Sequence, residues 1–214
     1  MLKDAFPSYT RLERIADGCV HTVSVLFSLA AAALLLVGAI GVLPAAIFVG
    51  LIVYSIGLVG MFAASAAYNL VSHVGVKEIL RRLDHAAIFV MIAGSYTPFA
   101  LVVGGRTGHM LLAAVWAIAA VGVAIKLRYP RRFDKLSVLL YLSQGWIVLL
   151  ALDSITAALS NRALSLLVAG GVVYTVGVAF HLMERLLFHN VIWHIFVLGG
   201  AACQFAAIRD AVMN

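Results

Sequence analysis

Acidic, histidine and small polar side chains recur at the ends of long apolar segments in this sequence. Such side chains can bind a metal ion or activate a water molecule. Asp84 stands at the head of one apolar segment, directly behind Arg81 and Arg82. A carboxylate at the edge of hydrocarbon carries a large free-energy cost, so it normally has a partner or a function. We therefore expect Asp84 to meet polar side chains from other parts of the chain.

Three polar pairs are spaced four residues apart, and this spacing places both members of a pair on one face of a helix. The pairs are Asp17 with His21, Ser65 with Asn69, and Asn190 with His194. Each pair lies near one end of an apolar segment, at the same depth as Asp84 in the topology below. The pattern predicts one polar site that is walled by the first, second, third and seventh spans.

Histidine is the second signal for a site. A single histidine at a membrane interface is usually only solvated, but six of the seven lie at or near the same ends of the spans: His21, His73, His85, His181, His189 and His194. His85 is about 100° around a helix from Asp84, so it is expected to face a neighbouring helix or the interface.

The composition excludes an ordinary soluble domain. Hydrophobic residues make up 64% of the 214 residues and charged residues only 11%, and the mean hydropathy is +1.08. Because a helical span uses about 20 residues, the length allows seven spans with short loops and no sizeable soluble domain. We predict an all-α, multi-pass protein of the cell (inner) membrane.

The apolar segments divide the chain into an N-terminal segment, residues 1–18, and a seven-helix membrane domain, residues 19–211. Thr10 and Glu13 have the spacing of a capping box, which predicts a helix that starts before the first span. The predicted spans are 19–41, 44–70, 84–104, 108–126, 136–158, 163–183 and 190–211.

The distribution of positive charge predicts the orientation. Most of the 15 lysines and arginines fall on the side of the N-terminus; the exceptions are Arg106, Arg162 and Arg209. The positive-inside rule therefore places the N-terminus in the cytosol and the C-terminus outside. Basic loops that face anionic headgroups account for the net charge of +6, so membrane lipids are the expected partners and no nucleic acid is needed.

Four sequence blocks resemble the hemolysin III family, the bacterial branch of the progestin and adiponectin receptor superfamily, which is grouped with the alkaline ceramidases. The blocks are ERIADGCVH (13–21), SAAYN (65–69), RRLDHAAIFVMIAGSYTPF (81–99) and HNVIWHIFVLGGAACQFAAI (189–208). The resemblance implies a seven-helix bundle with zinc near its cytosolic face, held by three histidines and, through a water, by an aspartate. It also implies hydrolysis of lipid amides.

This sequence departs from the family pattern at the metal ligands. Asn69 and Asn190 stand where the resemblance implies histidines, which leaves His194 with Asp84 and Ser65. An amide oxygen is a poor zinc ligand, so we expect zinc binding to be weak or absent. Gln204 also stands where many relatives have histidine. Asp17 occupies a position where asparagine is expected.

Three interpretations of the site follow. In the first, the site is degenerate, and Asn69 and Asn190 hydrogen-bond each other, Asp84 and His194 without a metal. In the second, a metal is held in a rearranged shell of Asp84 and His194 with Asp17, His21 or His189; the last would need a shift in helix register. In the third, the polar cluster serves protons or ions.

Two functions from different classes are consistent with these interpretations. The first is a hemolysin III-type membrane protein that acts on membrane permeability or energetics, with a degenerate or altered zinc site at the cytosolic end of the bundle. The alternative is a zinc-dependent lipid amide hydrolase of the ceramidase type, with Asp84 as the base, Ser65 assisting the oxyanion and His194 as a metal ligand. A receptor for a lipid or fatty acid in the bundle is the third hypothesis, and the sequence leaves the oligomeric state open.

Overall fold

The computed structural model describes residues 9–129 and 131–213, and these residues form a bundle of α-helices. The helices are α1 (Arg11–Ala39), α2 (Ala45–Leu70), α3 (Val74–Val103), α4 (Gly105–Arg128), α5 (Asp134–Gly145), a 3₁₀ helix (Ile147–Ala151), α6 (Leu152–Ala158), α7 (Asn161–Leu182) and α8 (His189–Met213). Because α5, the 3₁₀ helix and α6 together form one apolar span, seven spans are long and apolar enough to cross a membrane. The predicted all-α fold with seven spans is confirmed.

Two helices, α1 and α3, begin more than one helical turn before the predicted spans. The first helix starts at Arg11 because Thr10 and Glu13 form the predicted capping box: the Glu13 amide donates to Thr10 Oγ1 at 3.2 Å, and the Thr10 amide donates to Glu13 Oε2 at 2.8 Å. The third helix starts at Val74, where His73 Nδ1 accepts from the Val76 amide at 3.4 Å. The remainder of the N-terminal segment, residues 1–8, lies outside the described residues.

The third helix is the centre of the bundle. It packs against α2, α4, α5, α6 and α8. In its most apolar stretch of 18 residues, 61% of the residues are buried, a larger share than in any other described span. The first helix packs between α2 and α8, and α7 packs along α8. As a result, the starts of α1, α3 and α8 and the end of α2 meet at one end of the bundle, which we call the polar end.

The α-helix of the fifth span is interrupted after Gly145, where the 3₁₀ helix follows. Polar contacts hold the span to the bundle at this break. Gln144 is fully buried, and its Nε2 donates to the Phe89 carbonyl of α3 at 3.1 Å and to the Val115 carbonyl of α4 at 3.0 Å. The Tyr96 hydroxyl donates to the Gly145 carbonyl at 2.5 Å and accepts from the Val148 amide at 3.3 Å. The two Tyr96 bonds satisfy backbone groups that the break in the helix would otherwise leave unpaired in the membrane.

Candidate functional site

Asp17 lies between two histidines at the polar end. One oxygen, Oδ1, is 2.7 Å from Nδ1 of His194 on α8, and the other, Oδ2, is 3.4 Å from Nε2 of His21 one turn further along α1. The two imidazole rings are 4.3 Å apart between centroids. All three side chains are buried, so this Asp17–His21–His194 cluster is a polar group removed from bulk water.

The His21 imidazole has a free ligand atom. Its Nε2 is buried and has no hydrogen-bond partner among the described residues, because the 3.4 Å approach to Asp17 lacks hydrogen-bond geometry. A buried polar atom without a partner carries a free-energy cost of about 1–3 kcal/mol. A bound cation is one way to remove that cost.

The donor set of the cluster fits a divalent transition metal. One ligand atom from each of Asp17, His21 and His194 lies within 4.8 Å of the other two. Two imidazole nitrogens and one carboxylate oxygen are ligands that zinc accepts, and three protein ligands leave a further coordination position open. The cluster can therefore hold a metal ion with small side-chain adjustments.

The two asparagines extend the cluster toward α2. Asn190 Nδ2 is 3.4 Å from Asp17 Oδ2 and also 3.4 Å from Asn69 Oδ1. Asn69 Nδ2 in turn donates to the Ser65 backbone carbonyl at 3.0 Å. The contact between the two asparagines is the one expected for a degenerate site. The same contacts orient the Asp17 carboxylate, which is what outer partners of a metal ligand do.

Asp84 lies beside the cluster rather than inside it. Its carboxylate lies near the Ser65 side chain and interacts electrostatically with His21, Arg81 and Asp17. The structure thus brings α3 to the polar end as the sequence suggested, but Asp84 is not one of the three closely spaced ligand residues. Asp84 and Ser65 form a separate polar pair next to them.

Two further histidines of the polar end, His85 and His189, lie outside the Asp17–His21–His194 cluster. The ring of His189 is 6.0 Å from that of Tyr9, and His189 does not belong to the closely spaced ligand group. His85 donates from Nδ1 to the Arg81 carbonyl at 2.7 Å, and its ring contacts Tyr68 of α2. This position of His85 agrees with its 100° offset from Asp84.

An apolar cavity of about 150 Å³ begins directly below the polar groups. Met61 and Ile88 line it, and each lies one helical turn from Ser65 or Asp84. Trp193, the neighbour of His194, also lines it, and at the other end the cavity reaches Leu164 and Gln204. The sequence contained no signal for this cavity, because its wall includes the break in the fifth span.

Comparison with known proteins identifies the family. The family model described as Haemolysin-III related matches residues 10–205. The chain belongs to the hemolysin III family. The match covers the first three sequence blocks from which the resemblance was drawn and residues 189–205 of the fourth, and the resemblance is confirmed.

Relatives match over most of their length. The Hemolysin-3 homolog of Bacillus subtilis (strain 168) is 36% identical over 94% of both chains. Hemolysin-3 of Bacillus cereus is 36% identical over 94% of this chain and 92% of its own. The human Monocyte to macrophage differentiation factor, a member of the progestin and adiponectin receptor superfamily, is 29% identical over 73% of this chain and 67% of its own. No solved structure matches the chain.

Proposed function

We propose that this hemolysin III family protein binds a divalent transition metal ion at the polar end of the bundle, through Asp17, His21 and His194. The observation that carries the proposal is the approach of one ligand atom from each residue to within 4.8 Å of the others. This proposal modifies the rearranged shell among the three interpretations of the sequence, because Asp17 rather than Asp84 is the carboxylate ligand beside His194. Asp17 takes the central position in it, and Asn69 and Asn190 are outer partners.

The His21 Nε2 atom makes only a 3.4 Å contact with Asp17 and no hydrogen bond, which favours this shell over a degenerate site. In a metal-free network, buried polar atoms are expected to find hydrogen-bond partners, and Nε2 of His21 has none among the described residues. A carboxylate that faces two imidazoles also supplies the negative charge that a divalent cation needs. When bound, such an ion would act as a Lewis acid toward a carbonyl oxygen.

Zinc titration in competition with a coloured chelator tests the proposal. Purified protein should take up one zinc ion per chain, and His21→Gln should weaken zinc affinity by roughly tenfold or more, since a ligand is lost. His109→Gln is the matched control, because His109 is exposed at the opposite end of the bundle. Equal zinc affinity of the His21→Gln variant and the unchanged protein would remove the proposal.

The apolar cavity favours a lipid as the ligand of the bundle. A cavity lined mainly by apolar side chains can accept an acyl chain, and its neighbour pair Asp84 and Ser65 can hydrogen-bond a polar headgroup. Binding of a fatty acid without its release from an amide would support a lipid-binding protein. Metal-dependent release of fatty acid from a ceramide would instead support the hydrolase, with Asp84 as the base and Ser65 assisting the oxyanion.

We further infer that the protein acts on membrane permeability or energetics, and that the metal site regulates this action. Buried Asp and His groups in membrane spans are typical of ion and proton pathways. Ion flux in vesicles that contain the purified protein should therefore change when zinc is chelated, and Asp17→Asn should abolish that response. A flux that is insensitive to both chelator and substitution would contradict this role.

A further inference from the structure

The turn between α4 and α5 has more cationic side chains than it has ion pairs within the described residues. It has five cationic side chains: Lys126, Arg128, Arg131, Arg132 and Lys135. Lys126 Nζ lies 2.7 Å from Asp134, and Arg131 lies 2.6 Å from Glu78. The other three are exposed, and no ion pair engages them within residues 9–129 and 131–213.

Two of these exposed cations lie over aromatic rings. The Arg128 guanidinium is 5.5 Å from the centre of the Tyr129 ring, and that of Arg132 is 4.9 Å from the centre of the Phe133 ring. The two rings meet edge to face at 6.2 Å between centroids. Each ring is more than 40% exposed, so the cations and rings form one surface, the basic–aromatic turn (Arg128, Tyr129, Arg132, Phe133 and Lys135).

The backbone of this turn adds a second feature that suits an anion. Phe133 has φ +68°, in the left-handed region that bulky side chains rarely adopt. It precedes the twelve-residue helix α5, whose N-terminus has no side-chain cap. The uncapped amide groups carry the positive end of the helix dipole. Asp134 does not cancel this charge, because it is paired with Lys126 and Arg81.

The location of the turn identifies the partner. It joins two spans, at Arg128 and Asp134, so its exposed rings lie at the depth where aromatic side chains meet the headgroup region of a bilayer. Three cations next to two aromatic rings match a phosphate group attached to a glycerol ester. The positive-inside rule assigns this side to the cytosolic leaflet, where anionic phospholipids attract basic segments.

We propose that the basic–aromatic turn binds the phosphate headgroup of an anionic phospholipid. This inference is independent of the metal site and of the apolar cavity, because the turn shares no residue with either. It assigns a function to Arg128, Arg132 and Lys135 beyond their contribution to topology. The site differs from general attraction of a basic loop to the membrane, because ring contacts and the N-terminus of α5 fix its geometry.

Native mass spectrometry of the full chain tests this inference. The protein is purified in detergent and titrated with phosphatidylglycerol or, separately, with phosphatidylcholine at low salt. The unchanged protein should retain phosphatidylglycerol in preference to phosphatidylcholine. The triple variant Arg128→Gln, Arg132→Gln, Lys135→Gln should lower the affinity for phosphatidylglycerol by roughly tenfold or more, because each cation near the surface contributes to the attraction.

Two control variants make the result specific. Arg106→Gln with Arg209→Gln removes two exposed cations from the opposite end of the bundle and should leave phosphatidylglycerol binding unchanged. Arg128→Lys with Arg132→Lys keeps the charge and should retain the preference for phosphatidylglycerol. Equal binding by the triple variant and the unchanged protein would overturn the inference, and so would an equal loss in the Arg106 and Arg209 control.

Discussion

The Asp17 carboxylate lies 2.7 Å from the His194 imidazole, although 177 residues separate them in the chain. This contact joins the first span to the last at the polar end. His21 and Asn190 approach the same carboxylate at 3.4 Å. A single acidic side chain therefore organises three polar groups of the bundle.

Asp17→Ala should destabilise the protein even when no metal is present. The substitution leaves the buried His194 Nδ1 without its acceptor, which is expected to cost about 1–3 kcal/mol. Unfolding in a graded detergent mixture with chelator present would measure this loss. Asp153→Ala is the matched control, since Asp153 is exposed at the start of α6. A loss of the same size in both variants would show that the Asp17 contacts add no stability.

Gly108→Ala should destabilise the packing of α3 against α4. A Cβ at this position would collide with the Ala100 carbonyl oxygen, a backbone atom that no rotamer change can move aside. Gly60→Ala should be neutral or stabilising by up to about 1 kcal/mol, because a Cβ there meets open space and alanine has the higher helix propensity. Thermal unfolding of the two variants checks the contrast. A more stable Gly108→Ala variant would contradict the close approach of the two helices.

Removing Asp134 should be more damaging than removing its partner Lys126. The Lys126 side chain is 2% exposed and that of Asp134 is 50% exposed. Asp134→Asn therefore leaves a buried ammonium without its counter-charge, whereas Lys126→Met leaves a carboxylate that water and Arg81 still reach. We expect Asp134→Asn to be less stable than Lys126→Met by at least about 1 kcal/mol. The opposite order of unfolding free energies would show that this pair is not a buried-charge contact.

The sequence predicted the features that depend on local pattern. Apolar segment length indicated the seven spans, and the Thr10–Glu13 spacing indicated where α1 begins. Four-residue spacing correctly placed Asp17 with His21 and Asn190 with His194 on shared helix faces, because this relation depends only on helix geometry.

The arrangement between helices could not be predicted in the same way. Whether Asp17 or Asp84 meets His194 depends on how α1 and α3 are rotated about their axes, and the sequence does not encode that rotation locally. The break of the fifth span after Gly145 was also hidden, because the apolar run continues through it. Tyr96, which bonds the Gly145 carbonyl at the break, comes from a distant position in the chain. Gln144 lies next to the break, but it bonds a carbonyl of α3.

Metal analysis of the purified protein tests the central claim most directly. The unchanged protein and the double variant Asn69→His, Asn190→His, prepared side by side, should both contain about one zinc ion per chain, because Asp17, His21 and His194 already supply three ligands. Asp17→Ala should lose the metal from the otherwise unchanged protein. Zinc in the double variant alone would contradict the rearranged shell and would show that the two asparagines have made the site degenerate.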